Sequence, residues 1–494
     1  MFEAEFLTRA EESKSLYRDL IQRAVEILCS SLAEKPYSGQ NPATLAKMIG
    51  PEFLPEHASS AQTINQALQT VVQNSIVLTH PRTAAHLHCP PLLAALSAEV
   101  VITALNQSMD SFDQAPIATI IEQKLVRWLC REIGLPTTAD GTFTTGGSQS
   151  NYMGLLLARD AFLRNQWNCS AQKSGLPAEA RKLRILCSEV AHFTVEKSAS
   201  QLGLGTDSVV RVAVDSCFRM NPRDLRDSIE SVRAQGHFPM AVVATAGNTD
   251  FGSIDPLPEL IEMAHTAGAW LHVDAAYGGA LLFSAKHRDK LESIENADSI
   301  SIDFHKLFWQ PIPCSVFLLR DAHHFDLIKL HADYLNPEVH EESGIPNLVT
   351  NSLLTTRRFD ALKLWICFQT LGRQKLSAMV ERTVELACHA AQSIRNTREL
   401  ELVCEPQLST VVFRYRPSNS DLDADKINAA IRQRLFEQGT AIIGHTRVRE
   451  HQCLKFTCMN PATTEANLDD LIEAIAQQGI SLEKNRDTFQ ALSD

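Results

Sequence analysis

Residues 299–311 read SISIDFHKLFWQP. Small and apolar residues alternate from Ser299 to Ile302 as in a buried strand, and the run then ends on Asp303, His305 and Lys306. Lysine is among the residues least often fully buried unless it is paired or chemically used. A solvated Lys at the tip of a strand is the ordinary alternative. Which of the two holds depends on what the neighbouring strands carry at their ends.

From about residue 140 onward, short apolar runs recur between helical patterns: RILCSEV, SVVRVAVD, MAVVATAG, WLHVDAAY and CSVFLLR. Between the third and fourth lies DPLPELIEMAHTAGA, with prolines where a helix starts and Gly268 where it stops. Strands separated by helices predict right-handed crossovers and a mostly parallel sheet. Beyond about residue 375, the strand-like STVVFRYRP and QCLKFTCMNP alternate with helical patterns, which predicts a smaller α+β domain. The first 80 residues are helical in spacing: Leu20, Ile21, Ala24, Val25, Leu28 and Leu32 form one apolar face, and Ile64, Leu68, Val71 and Ile76 another. The turn-rich EKPYSGQNP separates them. These faces must be covered by the body of the protein or by a second subunit.

A chain of 494 residues with 44% hydrophobic and 21% charged residues has the balance of a globular protein with one large domain and at least one smaller one. Its net charge of −12, without any Lys/Arg-rich tract, argues against a nucleic-acid or anionic-membrane surface and favours small-molecule or protein partners. No secretory signal and no stretch of 18 apolar residues is evident, so a cytoplasmic protein is expected. The 12 cysteines are scattered with no C-x-x-C pair, which predicts reduced thiols. His86, His88 and Cys89 in HLHCPP lack a second ligand cluster at zinc spacing, so no metal site is expected.

Ligands collect at the carboxyl ends of strands in open α/β sheets. Here AVVAT ends at Thr245, WLHVD at Asp274, SISIDFHK at Lys306 and RILCSEVAH at His192. Gly146, Gly147 and Ser148 precede a clear helix, a start suited to an anion because small residues admit it and the helix dipole favours it. A cofactor with an aldehyde, a phosphate and a pyridine nitrogen would use all of these parts. That cofactor is pyridoxal 5′-phosphate, with Lys306 carrying the aldehyde, Asp274 holding the ring nitrogen protonated and the Gly-Gly-Ser turn gripping the phosphate.

With these motifs the chain resembles the group II pyridoxal-phosphate decarboxylases of aminotransferase fold type I. WLHVDAAYGG and DFHK are similar to that family's aspartate and lysine motifs, SEVAHFTVEKSA to its histidine segment and TTGGSQSN to its phosphate turn, and the likeness runs from about His80 to Pro461, including LTTRRFDALKLW. The resemblance implies an α/β fold whose mostly parallel, seven-stranded central sheet is flanked by helices. It implies an N-terminal helical dimerisation arm over residues 1–80, a cofactor-binding domain over 81–375 and a small domain over 376–494. It implies that His192 stacks on the cofactor ring, Ala276 packs on its other face, Thr245 lies near the ring substituents, and Gly147, Ser148 and His305 contact the phosphate. Asp303 stands where several relatives have Asn. Tyr334 matches the mobile-loop tyrosine that returns a proton to the product carbanion, with His340 as the second candidate; His88 is placed near substrate or cofactor in a substrate-entry strand, and Arg357 in a structural or rim role. Homodimers with interface active sites are implied, the loop 334–345 reaching the neighbouring cofactor. A family decarboxylase acting on glutamate or an aromatic amino acid and an aminotransferase on the same fold share the Lys, Asp and phosphate parts, and an inactive cofactor-binding homologue would lack the lysine or the loop. The likeness is greatest to bacterial decarboxylases of diamino acids (L-2,4-diaminobutyrate, lysine or ornithine), which implies release of CO2 from such a substrate to give a diamine for siderophore or polyamine synthesis.

Overall fold

The structure, a computed structural model, describes residues 5–50 and 53–484; the ends of the segments 1–80 and 376–494 lie outside the described residues, as do positions 51 and 52. The chain divides into two compact units, Leu87–Cys388 with Cys404–Val411, and Met1–His86 with His389–Val403 and Val412–Asp494.

The larger unit is built on a seven-stranded sheet in the order Asp140–Thr144, Ser315–Leu319, Ser299–Asp303, Trp270–Asp274, Phe238–Thr245, Leu183–Ser188, Val209–Val212. Ser315–Leu319 runs antiparallel to both neighbours and all the other pairings are parallel. This is the mostly parallel α/β sheet that the fold type I resemblance implies. Its central strands are buried along nearly their whole length, as strands covered by helices on both faces must be. Helix Leu257–Thr266 supplies one crossover, with prolines in its first turn and Gly268 at φ +67° just past its end.

Asp140–Thr144, DGTFT, is a strand the apolar runs did not reveal. An Asp, a Gly and two Thr disguise it. Gly141 is required there because a Cβ would collide with the carbonyl oxygen of Phe317 on the adjacent strand. Helix Gly147–Trp167 follows directly and buries side chains on several sides, including Ser150, Asn151, Met153, Leu157 and Ala161.

In the smaller unit a five-stranded sheet runs in the order Thr83–Ala84, Ile442–Val448, His451–Thr457, Thr410–Tyr415, Leu400–Leu402. Helices Ala424–Glu437 and Glu465–Lys484 belong to the same unit. Thr83 and Ala84 pair in parallel with Ile442 and Ile443, so residues leading out of the N-terminal helices complete the sheet of the C-terminal segment. Helices Glu11–Ser31, Pro42–Ile49 and Ala61–Gln73 leave Leu20, Val25, Leu28, Ile64 and Val71 exposed. Residues 86–91 are irregular rather than a strand, since His86 is at φ +61° and two prolines follow. Among the described residues no helix is long and apolar enough to cross a membrane, and no group of three His, Cys, Asp or Glu is placed to hold a metal ion.

Candidate active site

Successive side chains on a strand point to opposite faces, so Trp270, His272 and Asp274 share one face of their strand, and Ser299, Ser301 and Asp303 one face of the next. The parallel register sets His272 opposite Ser299 and Asp274 opposite Ser301. All but Trp270 of these are polar, and all are buried. The amino-terminal half of helix Gly147–Trp167 lies over this row, its Asn151 reaching Asp274, His272 and Ser301.

Beyond Asp303 the backbone turns: the N–H groups of Phe304 and His305 both donate to the Cys314 carbonyl, and that of Trp309 to the Lys306 carbonyl. The turn returns Lys306 over the strand end, where its Nζ meets Asp303 Oδ2 at 2.9 Å. Asp303 also accepts from Ser315 Oγ at 2.6 Å and faces His305 Nε2 at 3.6 Å. Burial works to raise the Asp303 carboxyl, but the Lys306 and His305 charges and the Ser315 and Lys306 hydrogen bonds outweigh it and hold it below the usual carboxylate range. His305 Nδ1 lies 2.9 Å from the Cys314 carbonyl oxygen, and burial lowers its imidazole despite Asp303. Buried Cys89 donates its thiol to the His305 carbonyl at 3.2 Å, and His88 is close enough to His305 for repulsion to add to the burial that lowers its own imidazole.

Gly146, Gly147, Ser148, Asn151, His192, Thr245, Asp274, Ala276, Asp303, His305 and Lys306 line one cavity of about 220 Å³. The structure thus brings together Gly147, Ser148, His192, Thr245, Asp274, Ala276, His305 and Lys306, the residues expected around the cofactor. Burial lowers the His192 imidazole, with the Asp274 charge opposing. Thr245 is tied down by its N–H to Asp255 Oδ2 at 2.8 Å, and burial pushes that carboxyl up to about 6.

Tyr334 is not brought to the cavity; its side chain is 87% exposed. His340 lies in the short helix Glu338–Glu342 with Nδ1 3.3 Å from Asn347 Nδ2. Arg357 is buried away from the cavity, paired with Glu122 at 2.9 Å and donating to the Phe143 carbonyl at 3.2 Å, so it braces strand Asp140–Thr144. Sequence patterns assign no role to Asn151, His272, Ser301 or Thr194. The signal was present in the alternation of WLHVD and SISID, which puts every polar residue of each run on one face, but the register that joins the two faces is not written in either run.

A family model described as the pyridoxal-dependent decarboxylase conserved domain matches residues 42–416. The chain belongs to the pyridoxal-dependent decarboxylases. It is 40% identical to L-2,4-diaminobutyrate decarboxylase of Acinetobacter baumannii over 93% of this chain and 92% of that one. It is 39% identical to the enzyme of the same name from Rhizobium meliloti, over 96% and 93%. The solved glutamate decarboxylase domain of diaminobutyrate-pyruvate transaminase and L-2,4-diaminobutyrate decarboxylase from Vibrio parahaemolyticus superposes with a TM-score of 0.90 at 39% identity, covering 97% of this chain and 99% of that one. The decarboxylase uses pyridoxal 5′-phosphate, and the cavity fits it on three counts. Thr245 Oγ1 is buried and lacks a hydrogen-bond partner among the described residues. The Asp274 carboxylate is buried and accepts from Asn151 Nδ2 at 2.7 Å and the Ala276 N–H at 3.1 Å, while no Lys, Arg or His nitrogen among the described residues forms an ion pair with it, as suits a cationic ring nitrogen. A Cβ on Gly147 would come within 3.2 Å of both Ala276 Cβ and Asp303 Oδ2, so the helix start is kept bare beside the lysine.

Proposed function

We propose that this decarboxylase removes CO2 from L-2,4-diaminobutyrate to leave 1,3-diaminopropane. The observation that carries the substrate is the near full-length identity of 39–40% to two enzymes of that name, against 29–30% for the acidic amino acid and cysteine sulfinic acid decarboxylases. A diamine product would serve polyamine or siderophore synthesis in the cytoplasm.

Pyridoxal phosphate, when bound, supplies a sink for the electron pair that CO2 leaves on the α-carbon. Lys306 would carry the cofactor through its amine, and Asp303 is the counter-ion that holds that amine at the strand end when it is free. Asp274 would give the ring nitrogen the anionic partner that keeps it protonated. His192, Ala276 and Thr245 would hold the ring, and Gly147, Ser148 and His305 would hold the phosphate. Tyr334 returns the proton to the α-carbon, and its exposure in the single chain fits a loop over 334–345 that works in a neighbouring subunit's site; His340 is the alternative donor. The exposed apolar side chains of the N-terminal helices support a homodimer.

Release of CO2 measured against formation of keto acid over L-2,4-diaminobutyrate, ornithine, lysine and glutamate tests the proposal. The expected result is CO2 release with kcat/KM highest for L-2,4-diaminobutyrate. Preference for ornithine, lysine or glutamate would overturn the substrate, and keto-acid formation without CO2 would overturn the reaction.

A further inference from the structure

The row of buried polar groups under helix Gly147–Trp167 forms a connected hydrogen-bond chain with one consistent direction. It starts at Trp270, whose indole N–H donates to Ser299 Oγ at 2.9 Å. Ser299 Oγ, thus an acceptor from Trp270, has its own proton for His272 Nδ1 at 2.8 Å. The Asn151 amide nitrogen is committed to Asp274, so His272 Nε2 faces the amide oxygen Oδ1, carries the proton and donates to it at 3.0 Å, which leaves Nδ1 to accept from Ser299. Ser301 Oγ donates to the same amide oxygen at 3.0 Å. On its other side the Asn151 amide donates one hydrogen to Asp274 Oδ2 at 2.7 Å and the second to Thr194 Oγ1 at 3.0 Å, and Thr194 in turn donates to His192 Nδ1 at 2.8 Å.

All four hydrogen-bonding positions of the Asn151 amide are therefore used, and turning it over would set its oxygen against the Asp274 carboxylate. Burial drives the His272 imidazole down to about 4, the Asp274 charge opposing, so His272 is neutral and brings a directed donor without a positive charge. A protein cation here would compete with a cationic ring nitrogen for Asp274. The packing is adapted to the imidazole as well. A Cβ on Gly154, in the middle of the helix, would fall 2.5 Å from His272 Nδ1 and 2.8 Å from its Cε1. Glycine costs about 1 kcal/mol in a helix interior relative to alanine, so its presence favours room for the ring over helix stability.

We propose that Asn151, oriented by His272 through this chain, is the positioning residue that aims Asp274 and His192 together at the cofactor ring and stabilises the anionic form of Asp274. The proposal rests on the role given above to Asp274 at the ring nitrogen. Donors to the carboxylate favour the ion pair, with the proton on the ring nitrogen, over the neutral pair, with the proton on oxygen. Loss of the Asn151 donor moves the proton toward Asp274.

The test is nitrogen NMR of the holoenzyme loaded with pyridoxal 5′-phosphate labelled with ¹⁵N in the ring, alongside the cofactor dissociation constant and the melting temperature of the cofactor-free protein. In the parent enzyme the ring nitrogen should give the signal of the protonated form at neutral pH. In Asn151→Leu that signal should move toward the unprotonated position and the cofactor should bind roughly 10- to 100-fold more weakly, as befits a lost hydrogen bond to a charged group. His272→Leu and Gly154→Ala should shift the signal in the same direction by a smaller amount, and His272→Gln, whose amide nitrogen can stand where Nε2 stands, should restore it. Should Asn151→Leu fail to fold, the His272 and Gly154 variants decide on the same signal. Folded variants with the parent signal and affinity would overturn the proposal, as would a lower melting temperature with no change in the signal. An unprotonated ring nitrogen in the parent enzyme would instead overturn the role of Asp274.

Discussion

Lys306 is the residue on which the proposed chemistry turns, and its surroundings explain how a lysine comes to stand at the end of a buried strand. Its amine faces Asp303, a carboxylate that is 97% buried and held in place by Ser315. Lys306→Ala should lower decarboxylation on the order of 10³-fold or more, the scale on which removing a covalent nucleophile acts, measured as CO2 release at saturating substrate. Tyr334→Phe should lower it by about 10²–10⁴-fold, the range of a lost proton donor, with cofactor binding unchanged. The buried histidine makes a prediction about stability. The folded His272 imidazole is lowered to about 4 from an ordinary value of 6.5, so between these values the unfolded chain binds more protons than the folded one. Its contribution is complete above pH 6.5 and is lost as pH falls toward 4. His272→Leu should therefore show a shallower fall of melting temperature from pH 6.5 to 4 than the parent; an equal slope would contradict the assignment.

At the scale of elements, the strands of the large sheet follow from runs such as MAVVATAG and SISIDFHK, because burial on both faces demands near-continuous small and apolar side chains. That Thr245, Asp274 and Lys306 line one cavity was legible for the same reason, because they stand at the ends of such runs, where an apolar pattern gives way to polar side chains. Asp140–Thr144, Ile442–Val448 and Leu400–Leu402 were not legible. The first is short and polar, and Glu122 of helix Pro116–Ile133 and Arg357 hold the backbone N–H and carbonyl of its Phe143. Breaking a buried ion pair from one side typically costs about 3–5 kcal/mol, so Arg357→Met should lower the unfolding free energy by about that amount in denaturant titration. The pairings between His272 and Ser299 and between Asp274 and Ser301 were hidden for a different reason: alternation within a strand fixes a face, whereas register is a property of two strands together.

For the whole molecule, the N-terminal segment joins the sheet of the C-terminal segment, Thr83 and Ala84 pairing with Ile442 and Ile443, a pairing that no apolar pattern announces. The exposed apolar faces of Glu11–Ser31 and Ala61–Gln73 predict a sedimentation mass twice the 54.7 kDa of one chain, reduced toward one chain by Leu20→Asp with Val25→Asp. A fully active monomer would contradict the dimer. The most direct measurement of the central claim is borohydride reduction of the holoenzyme followed by peptide mapping. Pyridoxyl label fixed on the peptide that carries Lys306, and lost with Lys306→Ala, is the predicted result; label on another lysine, or none at all, would contradict the account.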